Sequence, residues 1–168
     1  MEHSDLFNIL HQINGVSEVE EAKLKVTDED NYFGFGGFKY SSDEELNPYD
    51  IIYGVFRKPQ SLCINLSISF VFEDFKEKID ELEKLRLIDH YNMFAIGIKA
   101  HSMEHEKDDE LHISLNTEFY SSPIISSAVQ EHLNCIAISL RFLENAPLSF
   151  SNFLKARGIV HDYLTEAE

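Results

Sequence analysis

Residues 62–87 read LCINLSISFVFEDFKEKIDELEKLRL, and the patterning of this stretch decides the fold. From Leu62 to Phe70 the apolar residues Leu62, Ile64, Leu66, Ile68 and Phe70 alternate with Cys63, Asn65, Ser67 and Ser69. Successive side chains of a strand point to opposite sides of a sheet, so period two predicts a strand with one buried and one polar face. The spacing then changes. Phe72, Phe75, Ile79, Leu82 and Leu85 recur every three or four residues among Lys, Glu and Asp, which predicts an amphipathic helix. Together the two patterns predict a sheet with a helix against one face.

Upstream, residues 4–13 predict a short helix, capped by Ser4 or Asp5, striped by Leu6, Ile9, Leu10 and Ile13, and ended at Asn14-Gly15. Ala22, Leu24 and Val26 then alternate with Lys23, Lys25 and Thr27, and Asp28–Asn31 predicts a turn. Tyr32–Tyr40 is an aromatic strand interrupted by Gly34, Gly36 and Gly37. A dinucleotide-binding fingerprint needs its glycines between a strand and a helix. Glycine inside a strand marks a bulge or bend instead. A polar, acidic loop over Ser41–Asp50 leads to a strand at Ile51–Phe56, and Arg57–Ser61, with Pro59, turns the chain into the Leu62 strand.

Downstream, Asp89-His90 begins a return, and Phe94, Ile96, Ile98 and Ala100 predict the next strand. Across an acidic hairpin tip, Leu111, Ile113, Leu115, Thr117 and Phe119 alternate cleanly with polar residues. Ser121-Ser122-Pro123 is a helix-start signal. The helix that follows, over 124–144, is apolar around much of its circumference (Ile125, Val129, Leu133, Ile136, Ala137, Leu140, Leu143), which predicts a helix sandwiched between two surfaces. Ala146-Pro147 stops it, Ser149 caps a short helix closed at Gly158, and the acidic tail HDYLTEAE frays. The short connections make the sheet mainly antiparallel, with about five to six strands and helices packed on one face. The class is α+β, in a single domain over residues 1–168.

The chain carries 30 acidic residues against 14 Lys and Arg, a formal net charge of −16. A nucleic-acid or anionic-membrane surface needs local positive potential, so neither is an expected partner. No stretch approaches the roughly 18–20 consecutive apolar residues that span a bilayer. The first residues, MEHSDLFNILHQ, lack the basic and apolar regions of a signal peptide. Two cysteines, Cys63 and Cys135, form no spacing motif and suit a reducing compartment. The expected location is the cytoplasm.

Candidate chemistry is sparse. His101, Glu104, His105 and His112, with Asp108, Asp109 and Glu110, include zinc- or nickel-type donors. Most of them fall in one hairpin loop, so a solvated charged tip is the simpler reading. His132 and Cys135 stand one helical turn apart, but two ligands do not close a site. No serine sits in a nucleophile elbow, and no catalytic, cofactor-binding or metal-binding residue is singled out. Cys63, Asn65, Ser67 and Ser69 share one strand face, which lines a groove or is simply wet.

The order helix, strands, helix, two strands, long helix over Asp5–Glu144 is similar to the type III secretion chaperone-like fold, which includes the YbjN-like proteins. The small size and acidity agree with it. That resemblance implies a dimeric, non-enzymatic protein that holds a stretch of a partner, and it carries no site residues over. Independently of it, an uncovered sheet edge can pair with a partner strand, and surplus apolar surface can be covered by a second copy. The expectation is therefore a protein-binding or chaperone-like homodimer. Two rival classes remain. An acidic immunity-type protein neutralising a basic toxin predicts a contiguous acidic patch, including Asp43–Glu45 with Glu104–Glu110. A small-molecule-binding domain or enzyme predicts a pocket with convergent polar groups.

Overall fold

The computed structural model describes residues 3–26, 32–43, 45–58, 61–73, 79–103, 110–121 and 129–164. Among them are three helices, α1 (His3–Leu10), α2 (Glu81–Phe94) and α3 (Val129–Ala156). The strands are β1 (Val16–Ser17), β2 (Lys23–Val26), β3 (Tyr32–Tyr40), β4 (Tyr49–Lys58), β5 (Ser61–Glu73), β6 (Lys99–Ser102), β7 (Leu111–Ser121) and β8 (Asp162–Leu164). The class is α+β and the sheet is mainly antiparallel, as the alternation and short connections predict. The chain divides into two compact units, one of Met1–Ser67 with Thr117–Arg141 and one of Ile68–Asn116 with Phe142–Glu168. The long elements β5, β7 and α3 each contribute to both.

In the first unit β3 pairs with β4 without interruption from Tyr32↔Arg57 to Tyr40↔Tyr49. The predicted bulge at the glycines is absent, and the irregularity falls in the neighbouring strand instead. Between Ser17, opposite Lys39, and Lys23, opposite Phe35, the outer chain takes six steps against four on β3. The excess is absorbed near Glu18, whose φ of 50° is left-handed. The glycines serve close approach: a Cβ on Gly36 would lie 2.5 Å from the Tyr53 ring, and one on Gly34 would lie 2.7 Å from the Leu24 side chain. The buried face carries Ile51, Tyr53 and Val55 from β4 with Leu62, Ile64 and Leu66 from β5. Leu6, Ile9, Leu10 and Ile13 are buried as predicted, although α1 starts at His3, ahead of Ser4 and Asp5, and ends at Leu10, so Ile13 lies in the turn that follows and not on the helix.

In the second unit the alternation of β5 continues through Phe72 to Glu73, so Phe72 is a strand residue on the buried face. The predicted helix is real but begins later, at Glu81. Asp80 caps it by accepting from the Glu83 amide at 2.8 Å, and Glu81 and Glu83 favour its positive N-terminal end. Its buried stripe is Lys84, Leu87, Ile88 and Tyr91, whereas Leu82 and Leu85 are exposed. Phe75 lies outside the described residues. Asp89 and His90 belong to α2, and the strand predicted from Phe94 shrinks to Lys99–Ser102, because Gly97 turns the chain at φ 77°.

α3 does not stop at Ala146-Pro147 but runs on to Ala156 as one helix. A proline inside a helix costs about 3 kcal/mol. Here the buried stripe keeps its helical spacing beyond it through Leu143, Ala146, Phe150 and Leu154. Phe150 meets Phe72 at 5.3 Å and Tyr91 at 4.8 Å between ring centroids. Burying such side chains contributes about 1.5–3 kcal/mol each, which outweighs the proline. Of the predicted start at Ser121-Ser122-Pro123, Ser121 is the last residue of β7, and Ser122 and Pro123 lie outside the described residues. The end at Gly158 holds: its φ is 77°, with Gly158 N donating to Lys155 O and Ile159 N to Leu154 O. Beyond it the predicted frayed tail is partly ordered, since Asp162–Leu164 pairs with β5 at Val71–Glu73. The expected sandwiching of α3 is not seen, because Ile138, Phe142 and Leu148 stay exposed.

Candidate functional site

The second face of the sheet in the first unit is open, and it is not polar throughout. On β3 the inward positions are taken by Gly34 and Gly36, so the large side chains Phe33 and Phe35 fall on the opposite face. On β4 the same face presents Ile52, Gly54 and Phe56. Phe35 is 50% exposed and Ile52 53%. Register aligns these residues in rows across the strands. Lys23 stands opposite Phe35, Phe35 opposite Gly54 and Gly54 opposite Asn65, whose amide donates to Glu118 on β7 at 3.2 Å. One row along, Lys25 stands opposite Phe33, Phe33 opposite Phe56 and Phe56 opposite Cys63, which is hydrogen-bonded to Tyr120 on β7.

The rings form one surface. Phe35 and Phe56 meet edge to face at 5.7 Å, Phe33 meets Phe35 at 6.4 Å, and the Lys25 ammonium lies 5.8 Å from the Phe33 centroid. Gly54 makes this possible, since a Cβ there would come within 3.0–3.1 Å of both the Phe56 and Phe35 rings. Tyr120 is 71% exposed at the far flank, and the neighbouring Cys63 pushes its phenol above the ordinary value. The Cys63–Ser69 face is therefore the open side of β5, its side chains partly exposed.

Other candidates resolve differently. His112 contacts Glu110 at 2.8 Å, and His101 is exposed on β6. Glu104, His105, Asp108 and Asp109 lie outside the described residues, among which no group of three metal-type ligands occurs. Neither cysteine is in a disulfide; Cys63 is half-buried and Cys135, near the half-buried His132, is exposed. Ser151 and His161 approach to 3.5 Å. Both are sealed in the aromatic core of the second unit, where His161 stands edge-on to Phe72 at 5.2 Å, so no substrate reaches them. A cleft of about 730 Å³ in the first unit is lined by Gln12, Asn14, Ser41, Ser42, Asn134 and Arg141 among others. Of the acidic patch, Glu44 and residues 104–109 lie outside the described residues.

Sequence reading missed the aromatic face. The available signal was the two-sided apolar character of β3 and β4. Glycine on alternate positions of YFGFGGFKY forces bulk to one side, and Ile52 and Phe56 repeat that bulk beside Ile51, Tyr53 and Val55. No helix among the described residues is long and apolar enough to cross a membrane. No family model, no curated protein and no solved structure matches the chain.

Proposed function

We propose that this chain is a non-enzymatic protein-binding domain of chaperone-like type, homodimeric and cytoplasmic, whose working surface is the open sheet face of the first unit. The observation that carries the reading is the exposure of Phe35, Ile52, Phe56 and Tyr120, with the half-buried Phe33 beside them, on one face of paired strands. Such rings gain from being covered, and aromatic side chains concentrate where proteins bind one another. Aromatic rings packed edge to face across paired strands suit docking. The order of helix, strands, helix, hairpin and long helix supports the chaperone-like reading.

The test replaces the centre of the face. Phe35→Ser/Phe56→Ser removes two partly exposed rings, so the fold, checked by circular dichroism, should persist. Association with protein, whether self or a partner captured from the native host, should fall at least tenfold. Capture and self-association equal to the unaltered chain would refute the reading. The cleft favours a small-molecule ligand as a second reading; it requires binding that Arg141→Ala weakens and the double Phe variant leaves intact.

A further inference from the structure

The open face is self-complementary, and we infer that its occupant is a second copy of this chain, docked about a two-fold axis running along β4. The inference rests on the reading of that face as a protein-docking surface and names what covers it. Across the face the strands run β2, β3, β4, β5, β7, with β4 in the middle. The flanks differ in charge. β2 brings the exposed Lys23 and Lys25, and β7 brings the exposed Glu118 and Tyr120.

Two in-plane axes can bring such a face against itself, and charge decides between them. An axis across the strands sets β2 on β2 and β7 on β7, placing lysine over lysine and Glu118 over Glu118. An axis along β4 keeps each row in register and exchanges the flanks. Lys23 then stands over Glu118 of the other copy, and Lys25 over the ring of Tyr120, a cation–π partner like the one Lys25 already has in Phe33. The aromatic residues of β3 come over Asn65 and Cys63, while Gly54 and Phe56 lie at the axis. Strands about 4.8 Å apart put the two flanks roughly 19 Å from each other, so the ion pairs form at both rims of an aromatic centre. Strand directions stay near-parallel, which is the aligned class of sheet packing. Every contact away from the axis occurs twice, as an isologous interface requires.

This geometry has a discriminating test by sedimentation velocity over a wide concentration range. Lys23→Glu places Glu against Glu118 at both rims, and Glu118→Lys places Lys against Lys23 at both rims. Each single variant should dimerise at least tenfold more weakly than the unaltered chain. Mixed one to one, they should restore dimer, because in the heterodimer both rims pair Glu with Lys. Unimpaired single variants, or a mixture no better than its components, would overturn the inference. A monomer at millimolar concentration would overturn it too. If that monomer binds another protein in a manner lost in Phe35→Ser/Phe56→Ser, the second copy is the wrong occupant but the face still docks. If it binds no protein, both the inference and the docking reading fail.

Discussion

At Gly36 the chain has no room for a methyl group. The Tyr53 ring occupies the space a Cβ would take, and its hydroxyl donates to Glu20 O at 2.6 Å, fastening the irregular outer segment to the sheet. One residue on, a Cβ at Gly37 would meet only Ile51 O at 3.7 Å. Gly36→Ala should therefore destabilise by about 1–3 kcal/mol through overpacking. Gly37→Ala should be close to neutral, and thermal melts of the two variants compare them directly. Burial also holds the Tyr53 phenol above its ordinary value of 10.0. Between the unfolded and folded values, the native state keeps a proton that the unfolded chain releases. This stability is complete below about pH 10 and is lost as pH rises through the folded value. Tyr91, raised first by burial, acts in the same sense. Tyr53→Phe should flatten the alkaline limb of a stability–pH curve while costing about 1 kcal/mol at neutral pH for the lost hydrogen bond. An unchanged alkaline limb would count against this assignment.

Among the elements, β6 shows how an outer strand is kept from pairing. The Asn92 side chain donates to Ala100 O at 2.9 Å and accepts from Ala100 N at 2.8 Å, imitating a neighbouring strand. Lys99 in turn donates to Asn92 O and Ala95 O at the end of α2. Asn92→Ala should lose about 1–2 kcal/mol and expose an edge that aggregates, read as a lower melting temperature with increased light scattering on heating. Equal scattering from both proteins would show that the edge is protected otherwise. The strands were legible because one-sided burial imposes period two, as Leu62–Phe70 demonstrates. The start of α2 was misread because Phe72 fits both a strand continuing from Phe70 and a helix leading to Phe75, and local spacing does not separate the two. The continuity of α3 through Pro147 was illegible for another reason: the gain comes from Phe72 and Tyr91, remote in sequence from Phe150.

For the molecule as a whole, a net charge of −16 coexists with a face whose β2 flank carries two exposed lysines and whose centre is aromatic. Composition alone pointed away from this surface, since net charge says nothing of where the few bases lie. Cys63 sits within that face and Cys135 lies on the exposed side of α3, so the two thiols are a paired reporter. The most direct measurement is the alkylation rate of each thiol, resolved by mass spectrometry, from micromolar to millimolar protein. Docking of a second copy on the face predicts that Cys63 becomes progressively protected while Cys135 reacts at a constant rate. The protection should vanish in Phe35→Ser/Phe56→Ser. Alkylation of Cys63 that stays independent of concentration, in step with Cys135, would contradict it.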